Sequence, residues 1–411
     1  MIRHRAGSPS AAAIMKRSKS LACIGTSLTL CGSLSLHFSI SGKKWTEIKV
    51  NKNLVEKLKQ DFNFSEIVSR LIVSRKIDPN EVYFNNDSKK IYNIFNNNED
   101  FDQASDLLIN SIKKQENICI LGDYDVDGTA ATSLLVRFFD YIKHPHFYYI
   151  PDRVKDGYGA SKKLFKKIIL KKPKLIILVD CGSTSNEAID YLNQFNIKSI
   201  IIDHHEINKP FPKSNIIINP KKNNGYKHFD NLCATTLTYF FLDILIKKIK
   251  SNYVLSDFLI FVLLATVCDV MPLKNINRLI ASIALKNFEI NKHISIKTLF
   301  DLIGKKNKLK IEDLAFLIGP IINSGGRIGK SNLGTELLSS KDQHIVTKKS
   351  KILIELNNKR KKIEKDILDE IDFKKINKQN KNVIIYYKDN LNEGLIGIIA
   401  ARLKDYFNKP S

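Results

Sequence analysis

The chain has 411 residues, of which 43% are apolar, and its 66 Lys and Arg against 42 Asp and Glu give a formal net charge of +24. This composition excludes a disordered polymer, a collagen-like fibre and a small disulfide scaffold, and the length predicts two or three globular units. The longest strongly apolar run, Phe258 to Val267, is shorter than the roughly 20 residues that span a bilayer, so we expect no membrane-spanning helix there.

The cysteines and the charge indicate a compartment and a class of partner. The six cysteines include no Cys-x-x-Cys pair, which excludes a zinc ribbon and a thioredoxin-like motif, and reduced thiols in the cytoplasm are the simplest interpretation. A strong positive charge favours a phosphate-rich partner such as nucleic acid. Because Lys, Asn and Ile are abundant along the whole chain, codon bias explains the charge equally well.

The N-terminal part of the chain is predicted to contain a leader and a helical segment. Basic residues and a Ser-, Leu- and Gly-rich stretch fill residues 1–40, which we interpret as a leader or a mis-assigned start that does not fold. Residues 41–115 then form short helices with Asn-rich breaks, for example Asn53 to Asp61 and Phe64 to Arg75.

An α/β pattern begins at residue 116 and predicts a globular domain up to residue 345. Its β-type runs are Asn117 to Leu121, Lys174 to Val179, Ser199 to Ile202 and Asn215 to Ile218. Its helical runs are Thr129 to Lys143, Ser161 to Lys171 and Ser185 to Phe195, followed by a mostly helical region from Val254 to about Leu338. Strands that alternate with helices of this length predict βαβ units and a parallel sheet.

The C-terminal part is predicted to contain a long charged helix and the start of a second domain. Residues 346–380 form a connector whose apolar residues share one helix face, namely Ile352, Leu356, Ile363, Ile367 and Ile371. Residues 381–411 then offer one strand, Val383 to Tyr387, and one helix, Glu393 to Phe407. Since these bury too little core, we expect a smaller α/β domain that is incomplete at the C-terminus.

Carboxylates and imidazoles follow the predicted strands at their carboxyl ends, where ligands collect in open α/β sheets. They are Asp123, Asp125 and Asp127 after the first strand, Asp180 after the next, Asp203, His204 and His205 after the third, and Asp269 after the run from Phe258 to Val267. Carboxylates gathered without a cation would repel one another. The pattern therefore predicts two divalent ions, Mn²⁺ or Mg²⁺, which suit oxygen and imidazole ligands.

Each element also has a plainer interpretation. Asp180 could cap the following helix, and a His-His pair is commonly a surface feature. A calcium-binding EF-hand loop that starts at Asp123 requires Gly at its sixth position, and Gly128 satisfies this. It also requires Glu at its twelfth position, where the chain has Leu134, so the EF-hand interpretation fails. The recurrence of such side chains at successive strand ends favours the joint site.

These residues resemble a known superfamily. In order, Gly122 to Gly128, Asp180, Asp203-His204-His205 and Asp269 are similar to the four motifs of the DHH phosphoesterases. Within that superfamily the chain, from roughly Ser41 to Ser411, resembles the RecJ family of single-strand-specific DNA exonucleases. The supporting segments are Pro151 to Gly159, Asn219-Pro220, Val270 to Leu273, Gly319 to Gly329, Leu356 to Arg360 and Glu393 to Ala400.

The resemblance implies roles for the site residues. The metal ligands would be Asp123, Asp125, Asp180, His204 and Asp269, with Asp180 as a bridge. His205 would contact the scissile phosphate. Asp127 and Asp203 would not bind the ions directly but would orient the imidazole of the ligand set.

Other residues are candidates for substrate binding. Arg153 and Arg327 offer guanidinium forks to phosphate, although an ion pair on a helix surface is the plainer interpretation of Arg327. Gly325 and Gly326 would allow a nucleic-acid strand to approach the backbone. Tyr158 is a candidate for base stacking, as are Tyr124 and Phe229, although core packing is the commoner role of such residues.

The resemblance also implies a fold and a function. The fold is a parallel-sheet DHH domain, a connector helix and the beginning of a DHHA1-type domain. The function is metal-dependent 5′-to-3′ hydrolysis of single-stranded DNA to 5′-mononucleotides in recombination and repair, by a monomer whose partners include a helicase and a single-strand-binding protein. Two alternatives stay open: a DHH phosphodiesterase for short oligonucleotides or cyclic dinucleotides, and a non-catalytic single-strand-binding relative.

Overall fold

The computed structural model describes most of the chain after the predicted leader. The described residues are 46–80, 91, 94–153, 155–157, 159–222, 229–328, 330–378 and 382–411. They divide into two compact units, one with the described residues of Met1–Phe84 and Asp405–Asn408, the other with those of Asn85–Lys404 and Lys409–Ser411. The predicted leader and Tyr158 lie outside the described residues. The domain boundaries at residues 41, 116, 346 and 381 stay predictions.

The described residues of the first unit form two complete helices, α1 (Lys52–Phe62) and α2 (Glu66–Ser74). Each begins after a residue whose side chain accepts hydrogen bonds from the first turn, Asn51 for α1 and Ser65 for α2. Such caps satisfy backbone N–H groups that have no partner within the helix. Both predicted helices are confirmed.

The second unit is built on a parallel sheet of five strands. The strands are β1 (Ile118–Leu121), β2 (His146–Tyr149), β3 (Leu175–Val179), β4 (Lys198–Ile202) and β5 (Ile216–Ile218). Their order is β2-β1-β3-β4-β5, and every neighbouring pair is parallel. Four strands were predicted. The edge strand β2 escaped prediction because its four residues are all half-buried and it lacks an aliphatic run.

Helices cover both faces of the sheet, which explains the continuous apolar strands. Alternate residues of β1 point to opposite faces: Ile118 and Ile120 join the larger core, and Cys119 and Leu121 join the smaller one. The larger core includes α3 (Glu99–Lys113) and α4 (Val126–Tyr141). The smaller core includes α5 (Lys162–Ile169) and α6 (Asn186–Asn193). The α/β class is confirmed.

The region after the sheet is helical, as predicted, and packs into the larger core. Its α-helices are α7 (Ala234–Lys248), α8 (Leu259–Cys268), α9 (Asn275–Lys286), α10 (Ile294–Leu302), α11 (Ile311–Asp313), α12 (Gly319–Arg327) and α13 (Leu333–Ser339). Short 3₁₀ turns occur at Leu255–Phe258 and Ile290–Lys292, and a π-helical turn at Leu314–Ile318. In the described part of the chain, no helix is long and apolar enough to cross a membrane.

The connector is a single helix, α14 (Gln343–Glu370), followed by α15 (Phe373–Lys378) and α16 (Glu393–Phe407). The carboxylate of Glu364 on α14 accepts from Arg360 and Arg402, both at 2.8 Å, and so ties α16 to the connector. The strand predicted at Val383 to Tyr387 is wrong: among the described residues this segment pairs with no strand, and a strand needs a partner for its backbone groups.

Candidate metal centre

The site lies where the order of the strands reverses. β2 lies on one side of β1, and β3, β4 and β5 lie on the other. Connections from β1 and β3 therefore leave in opposite directions, and a crevice opens at the carboxyl ends of these two strands. Asp123 follows β1 and Asp180 follows β3, so the topology itself brings these carboxylates to the crevice.

The first loop gives its three aspartates different partners. Asp125 caps α4 through one oxygen, which accepts from the N–H groups of Asp127 at 2.9 Å and Gly128 at 3.1 Å. Gly128 is required there, since a Cβ would lie 2.5 Å from the backbone nitrogen of Asp123. Asp127 turns the other way and caps α7, accepting from the N–H groups of Ala234 at 2.7 Å and Thr235 at 2.8 Å.

Asp180 holds a strained backbone conformation. Its φ is +60°, in the left-handed region that few residues other than glycine adopt, although aspartate tolerates it better than most. Its side chain is buried, and neither carboxylate oxygen has a hydrogen-bond partner in the described chain. A strained and unpartnered buried carboxylate costs stability, so it points to a ligand.

Asp203 organises the loop after β4. One oxygen accepts from the backbone of His204 at 2.8 Å, the backbone of His205 at 3.2 Å and Nδ1–H of His205 at 2.7 Å, and the other accepts from Ser183 N–H at 3.0 Å. Burial opposes its charge, but these hydrogen bonds hold the pKa of Asp203 well below its usual range. The same hydrogen bond from Nδ1 raises the pKa of His205 to about 9.

Asn219 fastens this loop to its neighbours. It is fully buried after β5, and its Nδ2 donates to Ser183 Oγ at 2.7 Å and to the His205 carbonyl at 3.0 Å. Three strand ends are thereby joined in one network. Sequence reasoning quoted Asn219 as part of a motif without a role and missed Ser183, since a serine after a strand carries no distinctive signal.

His204 lies among three carboxylates. Its Nε2 is 3.3 Å from Asp180 Oδ1, 3.5 Å from Asp269 Oδ2 and 3.6 Å from Asp127 Oδ2. Neither ring nitrogen makes a hydrogen bond with a described residue. Burial lowers the pKa of His204, which keeps the ring neutral and available as a ligand.

The side chains form three overlapping groups whose ligand atoms lie within 4.8 Å of one another. The groups are Asp123 with Asp125 and Asp180, Asp180 with His204 and His205, and Asp127 with His204 and Asp269. Asp180 and His204 each belong to two groups, and the two oxygens of the Asp180 carboxylate suit a bridging ligand. All five predicted ligands thus come together, while Asp127 joins a group with its oxygens already engaged by backbone N–H groups.

The electrostatics of the cluster call for a cation. Burial and the Asp125 carboxylate raise the pKa of Asp123 to about 8. Burial, with Asp127 and Asp125, raises the pKa of Asp269 to about 7 and that of Asp180 well above its usual range. Buried oxygens of Asp123, Asp180 and Asp269 have no hydrogen-bond partner among the described residues. Hard oxygen donors with one neutral imidazole fit Mn²⁺ or Mg²⁺.

Two arginines lie beside this cluster. The guanidinium of Arg153 is 4.5 Å from the centre of the Tyr124 ring, and its Nε is buried without a hydrogen-bond partner in the described chain. Arg327 ends α12 and donates from Nη1 to the Gly394 carbonyl at 2.9 Å. Burial and the nearby charges of Arg153 and Arg360 lower the pKa of Arg327. The ion pair on a helix surface is therefore the wrong interpretation of Arg327.

The remaining predicted contacts are corrected. Gly325 and Gly326 are buried, and a Cβ would lie 2.9 Å from the Lys330 carbonyl or 2.7 Å from the Tyr124 carbonyl, so the chain itself, not a nucleic-acid strand, makes the close approach. Phe229 packs against Phe95 in the core, with ring centres 4.8 Å apart. Tyr158 stays a prediction outside the described residues.

Comparisons with known proteins agree with this geometry. Residues 117–266 match the model of the DHH family, N-terminal domain. The single-stranded-DNA-specific exonuclease RecJ of Bacillus subtilis (strain 168) is 27% identical over 379 residues, which are 90% of this chain and 47% of that protein. The chain thus spans about half the length of this relative.

Solved structures extend the comparison to the fold. An exonuclease RecJ bound to manganese matches with a TM-score of 0.68 and 24% identity, over 76% of this chain and 78% of that one. RecJ of Thermus thermophilus in complex with Mn²⁺ matches with a TM-score of 0.74 and 20% identity, over 87% and 52%. Residues 117–266 thus match the DHH family, and the chain as a whole is similar in sequence and fold to RecJ proteins, so the resemblance predicted from the sequence is confirmed.

Proposed function

We propose that this protein is a metal-dependent exonuclease that hydrolyses single-stranded DNA from the 5′ end to 5′-mononucleotides, in recombination and repair. The observation that carries the proposal is the set of overlapping carboxylate and histidine groups at the switch point of the sheet, in which buried oxygens of Asp123, Asp180 and Asp269 have no hydrogen-bond partner in the described chain. The RecJ relative, named a single-stranded-DNA-specific exonuclease, supports the substrate.

Two divalent ions, Mn²⁺ or Mg²⁺, would be held by Asp123, Asp125, Asp180, His204 and Asp269, with Asp180 shared between them. When bound, such ions lower the pKa of water and withdraw charge from phosphate oxygens. The protein supplies the donor geometry: the ends of β1 and β3 and the C-terminus of α8 fix carboxylates on three sides, and the neutral ring of His204 completes the set.

His205 is suited to contact the scissile phosphate. Because Nδ1 donates to Asp203, the orientation of the ring is fixed, and this hydrogen bond raises the pKa of His205, which favours a positively charged ring. Its side chain is 44% exposed, in contrast to the buried His204. Arg153 and Arg327 add positive charge for flanking phosphates. Water attacks phosphorus, the bond to the 3′ oxygen breaks, and that oxygen takes up a proton.

The complete donor set disfavours a non-catalytic relative, since a protein that only binds DNA has no need of strained, unpartnered carboxylates. The proposal also includes a cytoplasmic location, from the pattern of cysteines, and a monomer that receives single strands from a helicase or a single-strand-binding protein, from the family resemblance.

The test is hydrolysis of single-stranded DNA labelled at either end, with Mn²⁺, with Mg²⁺ or with a chelator. We expect a labelled mononucleotide as the first product from the 5′ label, only in the presence of metal. His204→Ala serves as the matched control and should be inactive. Digestion from the 3′ end, or hydrolysis of dinucleotides alone, would contradict the proposal.

A further inference from the structure

A basic surface outside the metal centre lies on α5 and the turn that follows it. Between Gly157 and Val179 the sequence has no acidic residue, and it has seven lysines there, which we call the lysine ridge: Lys162, Lys163, Lys166, Lys167, Lys171, Lys172 and Lys174. All seven are exposed. The proposed mechanism uses none of them.

The fold holds the ridge outward. Leu164, Phe165 and Ile168 of α5 are buried in the smaller core, so the opposite face of this amphipathic helix must point to solvent. Ser161 caps the helix by accepting from Leu164 N–H at 3.2 Å. The stems of Lys162, Lys163, Lys166 and Lys167 therefore project from a helix, and the other three lysines follow in the turn before β3.

Most of this charge has no protein counter-charge. Within the described chain, only Lys167 of the ridge forms an ion pair, with Asp156 at 2.5 Å. The neighbouring α6 packs against α5 and carries Glu187 and Asp190 with no basic residue. Codon bias would enrich lysine on both helices, so the segregation of charge onto α5 is a specific feature.

The ridge begins beside the metal centre. The segment between β2 and α5 carries Arg153, whose guanidinium acts on the carboxylate of Asp123, and Asp156, which accepts from the Tyr149 hydroxyl at 3.0 Å. From that end α5 runs back toward the amino ends of the strands, because β3 starts there with Leu175. Eight helical residues cover about 12 Å, and the later lysines extend the charge further.

We propose that the lysine ridge binds the phosphate backbone of single-stranded DNA outside the crevice, independently of base sequence. Flexible lysine stems act as point charges on phosphates, and a row of them on one face suits a backbone with regularly spaced charges. This inference rests on the proposed function and adds a binding surface for the part of the strand that has not yet reached the metal centre.

The test compares oligonucleotides of two lengths, about five and about 25 nucleotides, the shorter filling little more than one binding site. The ridge variant replaces Lys166, Lys172 and Lys174 by Gln, because these side chains are exposed and pair with no described carboxylate. The matched control replaces Lys306, Lys308 and Lys341 by Gln. These lysines are also exposed, so the control gives the same change in charge. Binding is measured by fluorescence anisotropy in an Asp180→Asn background, so that the DNA is not consumed.

We expect the ridge variant to bind the long oligonucleotide about tenfold or more weakly, with a log–log salt slope shallower by about 2, or about 0.7 for each lost contact. In the otherwise unchanged chain, hydrolysis of the short oligonucleotide should stay as it was. Equal weakening by the control variant, or an unchanged salt slope, would overturn the inference and leave the proposed function standing. The inference would also be overturned if the ridge variant lost its binding to anionic lipid vesicles while its binding to DNA stayed intact. Failure of the unsubstituted chain to digest either oligonucleotide would overturn the proposed function itself.

Discussion

At the scale of single residues, the aspartates of the site have opposite relations to stability. Asp180 is buried with no partner for either oxygen in the described chain, whereas Asp127 accepts from two backbone N–H groups at the start of α7. Both are nearly inaccessible to solvent. Asp180 is therefore suited to bind a ligand and Asp127 to stabilise the fold, although both belong to the cluster around His204.

We predict that Asp180→Asn abolishes hydrolysis and leaves the metal-free melting temperature unchanged or raised, because the substitution removes like-charge repulsion. Asp127→Ala should instead lower the free energy of unfolding by about 1–3 kcal/mol, since it leaves two N–H groups at a helix start without their cap. Thermal unfolding in a chelator and hydrolysis with Mn²⁺ measure both effects. A strongly destabilised Asp180→Asn would show that this carboxylate is structural.

Arg327 has both a structural and a functional role to test. Its Nη1 donates to the Gly394 carbonyl at the start of α16, and its charge lies near Arg153. Arg327→Ala should therefore weaken single-strand binding and flatten the log–log salt slope by about 0.7, and should also lower the melting temperature. Arg327→Lys should keep the slope and lose part of the stability, since an ammonium lacks the planar fork. An unchanged slope with a lower melting temperature would leave only the structural role.

At the scale of secondary-structure elements, the ends of β3, β4 and β5 depend on Asn219. Because its amide orients the loop of His205 through Ser183 and the His205 carbonyl, Asn219→Ala should lower kcat about 10- to 100-fold. Stabilisation by Mn²⁺ should persist, since the ligands on β1 and α8 are untouched. Ser183→Ala, which keeps the bond to the His205 carbonyl, is the control and should be milder. Equal loss in both variants would contradict the role of Asn219.

The start of α10 gives the fold a dependence on pH. His293 is buried there with its ring stacked on Phe288 at 5.3 Å, and burial lowers the pKa of His293 to about 4. The charged groups that act on it are Asp257 and Glu289, which raise this pKa, and Arg137 and Lys292, which lower it further. The positive end of the helix dipole also disfavours a charged ring at this position.

A depressed pKa means that the unfolded chain takes up the proton first. The stability that neutral His293 contributes is therefore complete above about pH 6.5 and is lost as the pH falls toward 4, by about 1–2 kcal/mol at pH 5. His293→Phe removes this titration, so its free energy of unfolding should fall less between pH 7 and pH 5 than that of the unsubstituted chain. Parallel pH profiles in urea unfolding would contradict the prediction.

At the scale of the whole molecule, the metal centre links elements far apart in the sequence. His204 follows β4 and Asp269 follows α8, and both belong to one group of candidate ligands, so an ion held by both would resist unfolding of the sheet and of the helical region together. Mn²⁺ at about 100 times its dissociation constant should therefore stabilise the protein by about 2.7 kcal/mol. Differential scanning fluorimetry with Mn²⁺ and with a chelator measures this shift. A shift of equal size in His204→Ala would show that the ion binds elsewhere.

The sequence by itself determined the α/β class, four of the five strands and the residues of the cluster. Hydrophobic periodicity is local, and the carboxyl ends of parallel strands share one edge, so Asp123, Asp180 and His204 could be predicted to meet. The connector helix and the last helix could also be predicted from the sequence alone. The strand predicted at Val383 to Tyr387 was wrong, because a run of β-branched and aromatic residues shows β propensity, whereas only a neighbouring strand can satisfy the backbone.

Only the tertiary structure decided what each polar side chain does. Three aspartates at alternate positions look alike in the sequence, yet Asp127 caps a helix that begins more than a hundred residues later. Gly325 and Gly326 looked suited to a nucleic-acid strand and instead admit the chain's own backbone. Hydrogen bonds between distant residues, and the burial that shifts a pKa, depend on which elements pack together, and that packing is a property of the whole core.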